Sequence, residues 1–198
     1  MIFTSRSKNT NSNPQERKPI HLMNLFRPKT IINPPYTKML NPIKPSDRER
    51  MKWGEPTWTL FHCIPTKISQ ENFIKNKDSI IRLIITICSN LPCPNCSDHA
   101  KRYMNKVNFI AIKSPDDLKK MLFLFHNSVN ERKGYEQYSY DKLDEKYNNL
   151  DFNQVVNQFM FHFQKKTYAS NLIAQQMYRQ NQVLIVKQWF QDNIGLFQ

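Results

Sequence analysis

Between Ser114 and Gly134 the sequence spells out a complete helix, and no other segment restricts the fold so tightly. Ser114 suits the N-cap, Pro115 the first helical position, and Asp117, three residues after the cap, the reciprocal half of a capping box. Leu118, Met121, Leu122, Phe125 and Val129 then recur at helical spacing, and Gly134 supplies a natural C-cap. His126, Asn130 and Lys133 follow one another at i, i+4 and i+7, so a polar seam runs beside the apolar stripe.

The same reading predicts helices elsewhere. Trp58 and His62 stand one turn apart in a first helix that Pro65 should end or kink. Phe73, Ile74, Ile81, Ile84, Ile85 and Cys88 keep a helical stripe over about 69–89. Leu91-Pro92-Cys93-Pro94 forces a break, and Pro94 then suits the first turn of a third helix continuing through His99, Tyr103 and Met104. Cys93 thereby falls at a helix N-terminus. Past residue 150, Asp151 caps a run with Phe152, Val155, Val156, Phe159 and Phe163, and a later run holds Leu172, Ile173, Met177 and Trp189. Val183 to Val186 is compatible with a short strand instead. The expected class is all-α.

Composition divides the chain. Seven of the twelve prolines precede residue 50, among Asn, Ser, Lys and Arg and without an apolar period, so 1–45 is expected to be a flexible, basic N-terminal segment with order beginning near Ser46. Residues 46–150 form the main domain and 151–198 a C-terminal helical extension. Of the net charge of +13, the first fifty residues carry 10 basic and 3 acidic groups, so over half the excess lies outside the expected fold. A nucleic-acid-binding domain usually concentrates such charge on a folded face; here a specific nucleic-acid partner is not expected. No stretch reaches the roughly 18–20 apolar residues that span a bilayer, and the N-terminus lacks the apolar core of a secretory signal.

Of four cysteines, only Cys93 and Cys96 form a local pair. A C-x-x-C at a helix start suits reversible disulfide chemistry, because free amide groups and the helix dipole stabilise a thiolate and lower a thiol pKa of roughly 8.5. The competing use is structural zinc, with Cys93, Cys96 and His99 as three ligands and Cys88 as a fourth, in a non-enzymatic adaptor for nucleic acid or protein. Cys63 and Cys88 read as small buried apolar residues.

Three strings occur in order: Trp53-Gly54-Glu55-Pro56-Thr57-Trp58-Thr59-Leu60-Phe61-His62, Cys93-Pro94-Asn95-Cys96-Ser97-Asp98-His99, and His126-Asn127-Ser128-Val129-Asn130. Together they resemble the Erv/ALR family of sulfhydryl oxidases over about residues 50–148. The resemblance implies a four-helix bundle with a short fifth helix near Asp141 to Tyr147, binding FAD; non-covalent binding is expected because no Cys or His outside the proposed site has an evident need to tether it. It implies cofactor contacts from Trp53, Trp58, His62, His99, His126, Asn127, Val129 and Asn130, with Arg132 or Lys133 at the phosphates; no metal is expected, because Cys88 and Cys93 lie on opposite sides of a Pro-containing turn and no second C-x-x-C or H-x-x-H follows. Cys96 would face the flavin and Cys93 would exchange with substrate. Electrons would pass from protein thiols through this pair to FAD and then to oxygen, giving hydrogen peroxide.

Cellular members typically carry a further cysteine pair at positions that correspond to Phe123 and Tyr140 here. The shortened cysteine set is similar to the versions encoded by large DNA viruses, which implies the host cytoplasm or the virion as location, with the mitochondrial intermembrane space as the alternative. In a cytoplasm poised at roughly −220 to −320 mV, a dedicated thioredoxin-like or C-x-x-C shuttle is the expected partner. The apolar content of 151–198 predicts packing on the bundle or on a second subunit, and a homodimer is expected.

Overall fold

The computed structural model describes residues 52–165 and 173–197, which are predominantly helical and contain no β-strand, only isolated bridge residues at Ile68, Val107 and Phe197. The expectations for 1–45 and for an onset near Ser46 lie outside the described residues. Seven α-helices follow in order: α1 (Gly54–Lys67), α2 (Gln70–Ser89), α3 (Pro94–Met104), α4 (Pro115–Lys133), α5 (Lys142–Tyr147), α6 (Phe152–Phe163) and α7 (Ile173–Asn193).

Local chemistry sets most of these boundaries. Ser69 caps α2 by accepting from the Asn72 N–H, and Asp151 caps α6 by accepting from Gln154. Ser114 and Asp117 close both halves of the capping box of α4, which ends on Gly134 in the left-handed conformation at φ 66°. Pro65 does not stop α1 at its own position. The helix continues to Lys67 and terminates where Ile68 turns extended, because a proline two residues from the end removes a single amide donor. The short strand allowed for Val183 to Val186 is absent. These residues lie inside α7, with Val183 and Val186 buried and Leu184 and Ile185 exposed, and the described chain offers no strand edge for them to pair with.

α1 is the central element. It packs against α4, α5 and α6, while α2 packs against α3 and α7. Leu60, Phe61 and Ile64 of α1, Phe73, Ile80, Ile84 and Ile87 of α2, Leu118, Met121 and Leu122 of α4, and Phe159 and Phe163 of α6 belong to one continuous apolar core. Three contacts fasten the C-terminal end to α2 and its approach: Trp189 Nε1 donates to Ser79 Oγ at 2.7 Å, Asn72 Nδ2 donates to the Leu196 carbonyl at 3.3 Å, and Phe197 pairs with Ile68.

Phe123 and Tyr140 meet edge to face with ring centroids 5.1 Å apart. The buried Lys119 ammonium lies 5.4 Å from the Tyr140 centroid and pairs with the Asp144 carboxylate. Aromatic and cationic contacts thus hold the chain after α4 against that helix. Phe123→Ala is expected to lower stability by about 1–3 kcal/mol, through lost burial and the lost ring pair. A thermal melt checks this, and an unchanged Tm would show that the ring pair fastens nothing.

Candidate functional site

Two adjoining cavities open between α1, α3, α4 and α5. The outer is a cleft of about 490 Å³, within the ordinary size range of ligand sites. The inner is a small space of about 40 Å³ onto which Cys96 opens. Trp58, Val129 and Lys133 line both, so Trp58 forms part of the partition.

Cys93 is the N-cap of α3, and its Sγ accepts the Cys96 N–H at 3.3 Å. Pro94 at the first helical position has no N–H to satisfy, which leaves the Cys96 amide directed at the sulfur. Ser97 Oγ donates to the Cys88 carbonyl at 3.0 Å and pins this first turn to the end of α2. Both thiols of the pair are free and half-buried. Cys93 has its pKa drawn down to about 6, first by the hydrogen bond from the Cys96 thiol, against the effect of burial, then by the Cys96 and Asn95 amides and by Lys133. Cys96 is pushed up, chiefly by holding that shared proton for Cys93 and then by burial. In the reduced pair the negative charge rests on Cys93, at the helix N-terminus. Cys63 and Cys88 are buried, and burial raises both: Cys63 to about 11 and Cys88 well above the ordinary thiol range.

The aromatic residues form a stack through the wall of the outer cleft. Trp58 and His126 lie parallel with centroids 4.0 Å apart, and His126 also stacks at longer range on Tyr138. His62 bonds His126 through Nε2 and Nδ1 at 2.9 Å and stacks on Tyr147. Burial is the main cause that holds His62 at about 3, with His126 and Lys146 adding to it. Burial likewise holds His126 at about 4, ahead of Lys146 and Lys133, and His99 at about 4, ahead of Arg132 and Arg102. All three imidazoles are therefore neutral at pH 7, and they offer flat rings and hydrogen-bonding nitrogens in place of charge. The outer cleft carries Lys133 and Lys146 together with Glu55 and Glu136, so its lining is balanced in charge, whereas Arg132 and Lys133 make the inner cavity positive.

The residues singled out in the sequence take distinct places. Trp53, His99 and Arg132 line the inner cavity with Cys96, whereas His126 and Asn130 line the outer cleft. His62 and Asn127 line neither. His62 is fully enclosed behind His126. Asn127 clamps the loop after α4, donating to the Tyr138 carbonyl and accepting the Tyr138 N–H, both at 2.9 Å. Tyr138, Lys146 and Tyr147 line the outer cleft and were not anticipated. A tyrosine-rich stretch from Tyr135 to Tyr147 was the available signal, but it has no periodicity that assigns a face.

The outer cleft can hold an elongated ligand with a flat ring and anionic groups, and Trp58 separates it from the small space beside Cys96. FAD has that chemistry. Its rings suit the aromatic walls, its pyrophosphate the lysines, and its polar edges Asn130 and the neutral imidazoles. The buried His62 Nδ1 has no protein partner. It marks polar capacity behind the cleft that the described residues do not satisfy.

Comparison with known proteins gives one family, described as the Erv1 / Alr family, whose model matches residues 55–148. An FAD-linked sulfhydryl oxidase of African swine fever virus is 32% identical over 82 residues, covering 41% of this chain and 68% of the relative. A probable FAD-linked sulfhydryl oxidase of vaccinia virus is 30% identical over 89 residues, covering 45% and 87%. The FAD-linked sulfhydryl oxidase ERV1 of Arabidopsis thaliana is 24% identical over 101 residues, covering 51% and 52%. No solved structure matches the chain.

Proposed function

This chain belongs to the Erv1/Alr family, and we propose that it is an FAD-linked sulfhydryl oxidase that makes disulfides in protein substrates through Cys93 and Cys96. The observation that carries the residue assignment is the placement of the pair. Cys96 opens on the inner cavity, Cys93 caps the helix outside it, and the aromatic cleft continues from the same partition.

In the disulfide form of the pair, a substrate thiolate attacks the Cys93 sulfur. The Cys93–Cys96 bond breaks, and Cys96 leaves with the electron pair. A second substrate thiolate then attacks the substrate sulfur and releases Cys93, whose lowered pKa makes it a good leaving thiolate at neutral pH. The substrate gains one disulfide, the pair gains two electrons, and the thiol protons pass to solvent. FAD, when bound, supplies the two-electron acceptor that empties the pair and passes the electrons to oxygen as hydrogen peroxide. Trp58, His126, Val129, Asn130 and Lys133 would hold it, with Tyr138 and Tyr147 completing the far wall. Arg132, Trp53 and His99 would enclose the end beside Cys96.

The partners that fit are protein thiols, delivered through a thioredoxin-like or C-x-x-C shuttle, and a second copy of this chain as a homodimer. Relatives from three large DNA viruses support the host cytoplasm or the virion as the location, and the plant relative leaves the mitochondrial intermembrane space as the second reading. No helix among the described residues is long and apolar enough to cross a membrane. The adaptor reading would need a ligand set, and among the described residues no three or more His, Cys, Asp or Glu side chains are grouped to hold a metal ion.

The purified protein is expected to be yellow, to release FAD on acid or heat denaturation, and to consume oxygen with dithiothreitol. A colourless protein with stoichiometric zinc would favour the adaptor. Asn130→Ala and His126→Ala each remove polar contact from the cleft, at about 1–3 kcal/mol or roughly ten- to a hundredfold in FAD affinity. Equilibrium dialysis with FAD, alongside circular dichroism, separates this loss from unfolding. Wild-type affinity in both variants would place the cofactor elsewhere.

A further inference from the structure

α7 has two apolar faces and spends only one on the core. Val183, Val186 and Phe190 are buried on the inner face. On the other side Met177, Tyr178, Leu184 and Ile185 remain between 55% and 62% exposed. They make up four of the eight large exposed apolar side chains among the described residues, so the exposed surface is concentrated on one helix. At 100° per residue they occupy a sector of roughly 120°, centred on the exposed Asn181. From residue 174 to 188 this sector contains no charged residue, although the chain is strongly basic.

The order of the residues identifies what can cover them. Counted from Asn181, the apolar positions are −4, −3, +3 and +4, which is symmetric about the centre. A second α7 laid antiparallel across the first therefore places Met177 against Ile185, Tyr178 against Leu184, and Asn181 against Asn181 of the other copy. That is the self-complementarity a twofold interface requires, with each contact made twice. The asparagine amide is both donor and acceptor, so two copies of Asn181 can satisfy each other and fix the register. The four side chains on each copy bring the total area to about 1,000 Å², the size of a weak, concentration-dependent interface.

We propose that the outer face of α7 is a homodimer interface in which two α7 helices pair antiparallel about Asn181. The proposal gives the homodimer read above a face and a register, and it does not depend on the cofactor chemistry.

Sedimentation velocity on the full chain over roughly 1–100 µM tests it. The wild-type protein is expected to shift from monomer to dimer across this range. Met177→Lys and Ile185→Glu should each weaken association at least about tenfold, since each buries a charge against an apolar partner. The double variant Met177→Lys/Ile185→Glu should regain most of the lost affinity, because the introduced lysine of one copy meets the introduced glutamate of the other twice. Circular dichroism and FAD content, measured on the same samples, should stay at wild-type values because both positions are exposed. Loss of FAD from the wild-type protein would count against the oxidase reading alone. A wild-type monomer throughout, unchanged association in the single variants, or no recovery in the double variant would each overturn the proposed interface.

Discussion

Cys96→Ser is expected to reduce thiol-dependent oxygen consumption to background, and Cys93→Ser to do the same while leaving a different spectrum. Without either sulfur the pair cannot close a disulfide, so no substrate disulfide can be made, and the expected loss is the full catalytic effect. The two variants differ in what remains beside the cofactor. The shared proton demanded by Cys93 is the largest cause that holds Cys96 protonated, so removing Cys93 takes that cause away and leaves burial opposed by Lys133 and Arg132, which favours a Cys96 thiolate more than in the intact pair. Cys93→Ser should then add a long-wavelength shoulder to the flavin spectrum, whereas Cys96→Ser should not.

The reduced wild-type protein gives a second check. Cys93 has its pKa lowered from an ordinary thiol value to about 6, so its thiolate form stabilises the reduced fold fully above the unfolded thiol pKa, and this contribution is lost as pH falls through about 6. Iodoacetamide labelling of Cys93, followed by mass spectrometry, should accordingly fall off near pH 6, with Cys96 modified far more slowly. Substantial turnover in either serine variant would sink the proposed electron path. Labelling that falls off near pH 8–9 would sink the assignment of the charge to Cys93.

Truncation after Leu150 is the second large effect, and it is expected to destabilise the fold strongly. It removes Phe152, Val155, Val156, Phe159 and Phe163 on α6 together with Val183, Val186 and Phe190 on α7, all within the core shared with α1 and α2. Each such side chain contributes about 1.5–3 kcal/mol on burial, while a whole domain has a net stability of about 5–15 kcal/mol. Loss of all eight is on the order of that whole margin even after the unfolded-chain correction. A milder variant keeps the test quantitative. Phe159 is fully buried and stacks on Phe163 at 4.9 Å, so Phe159→Ala should cost about 3–5 kcal/mol, with a matching fall in Tm and in flavin retention. A truncated protein with native helicity and flavin content would show that α6 only decorates the bundle.

Much of this molecule was legible in the order of its residues. Ser114, Asp117 and Gly134 bound α4 because capping is local chemistry between neighbours a few positions apart. Pro94 and Cys93 likewise set the start of α3 and hence the position of the redox pair, which needs no knowledge of the rest of the chain. The stripe of α6 and its Asp151 cap were equally plain, whereas the β-branched run at Val183 to Val186 left helix and strand open until packing on the core decided it.

Sequence alone determined most of the helices, the caps of α4 and α6, the cysteine pair at a helix start, and the set of aromatic, histidine and asparagine side chains that share faces. These follow from interactions within one or two turns, which the spacing records directly. Only the tertiary structure decided which of those faces meet. It set His62 behind His126, turned Asn127 onto the backbone of Tyr138, brought Tyr138 and Tyr147 across the cleft, and left one apolar face of α7 uncovered. Helical periodicity assigns a residue to a side of its own helix. Which neighbour, cavity or solvent that side encounters depends on contacts between residues far apart in the chain, such as the one across the 110 positions between Ser79 and Trp189.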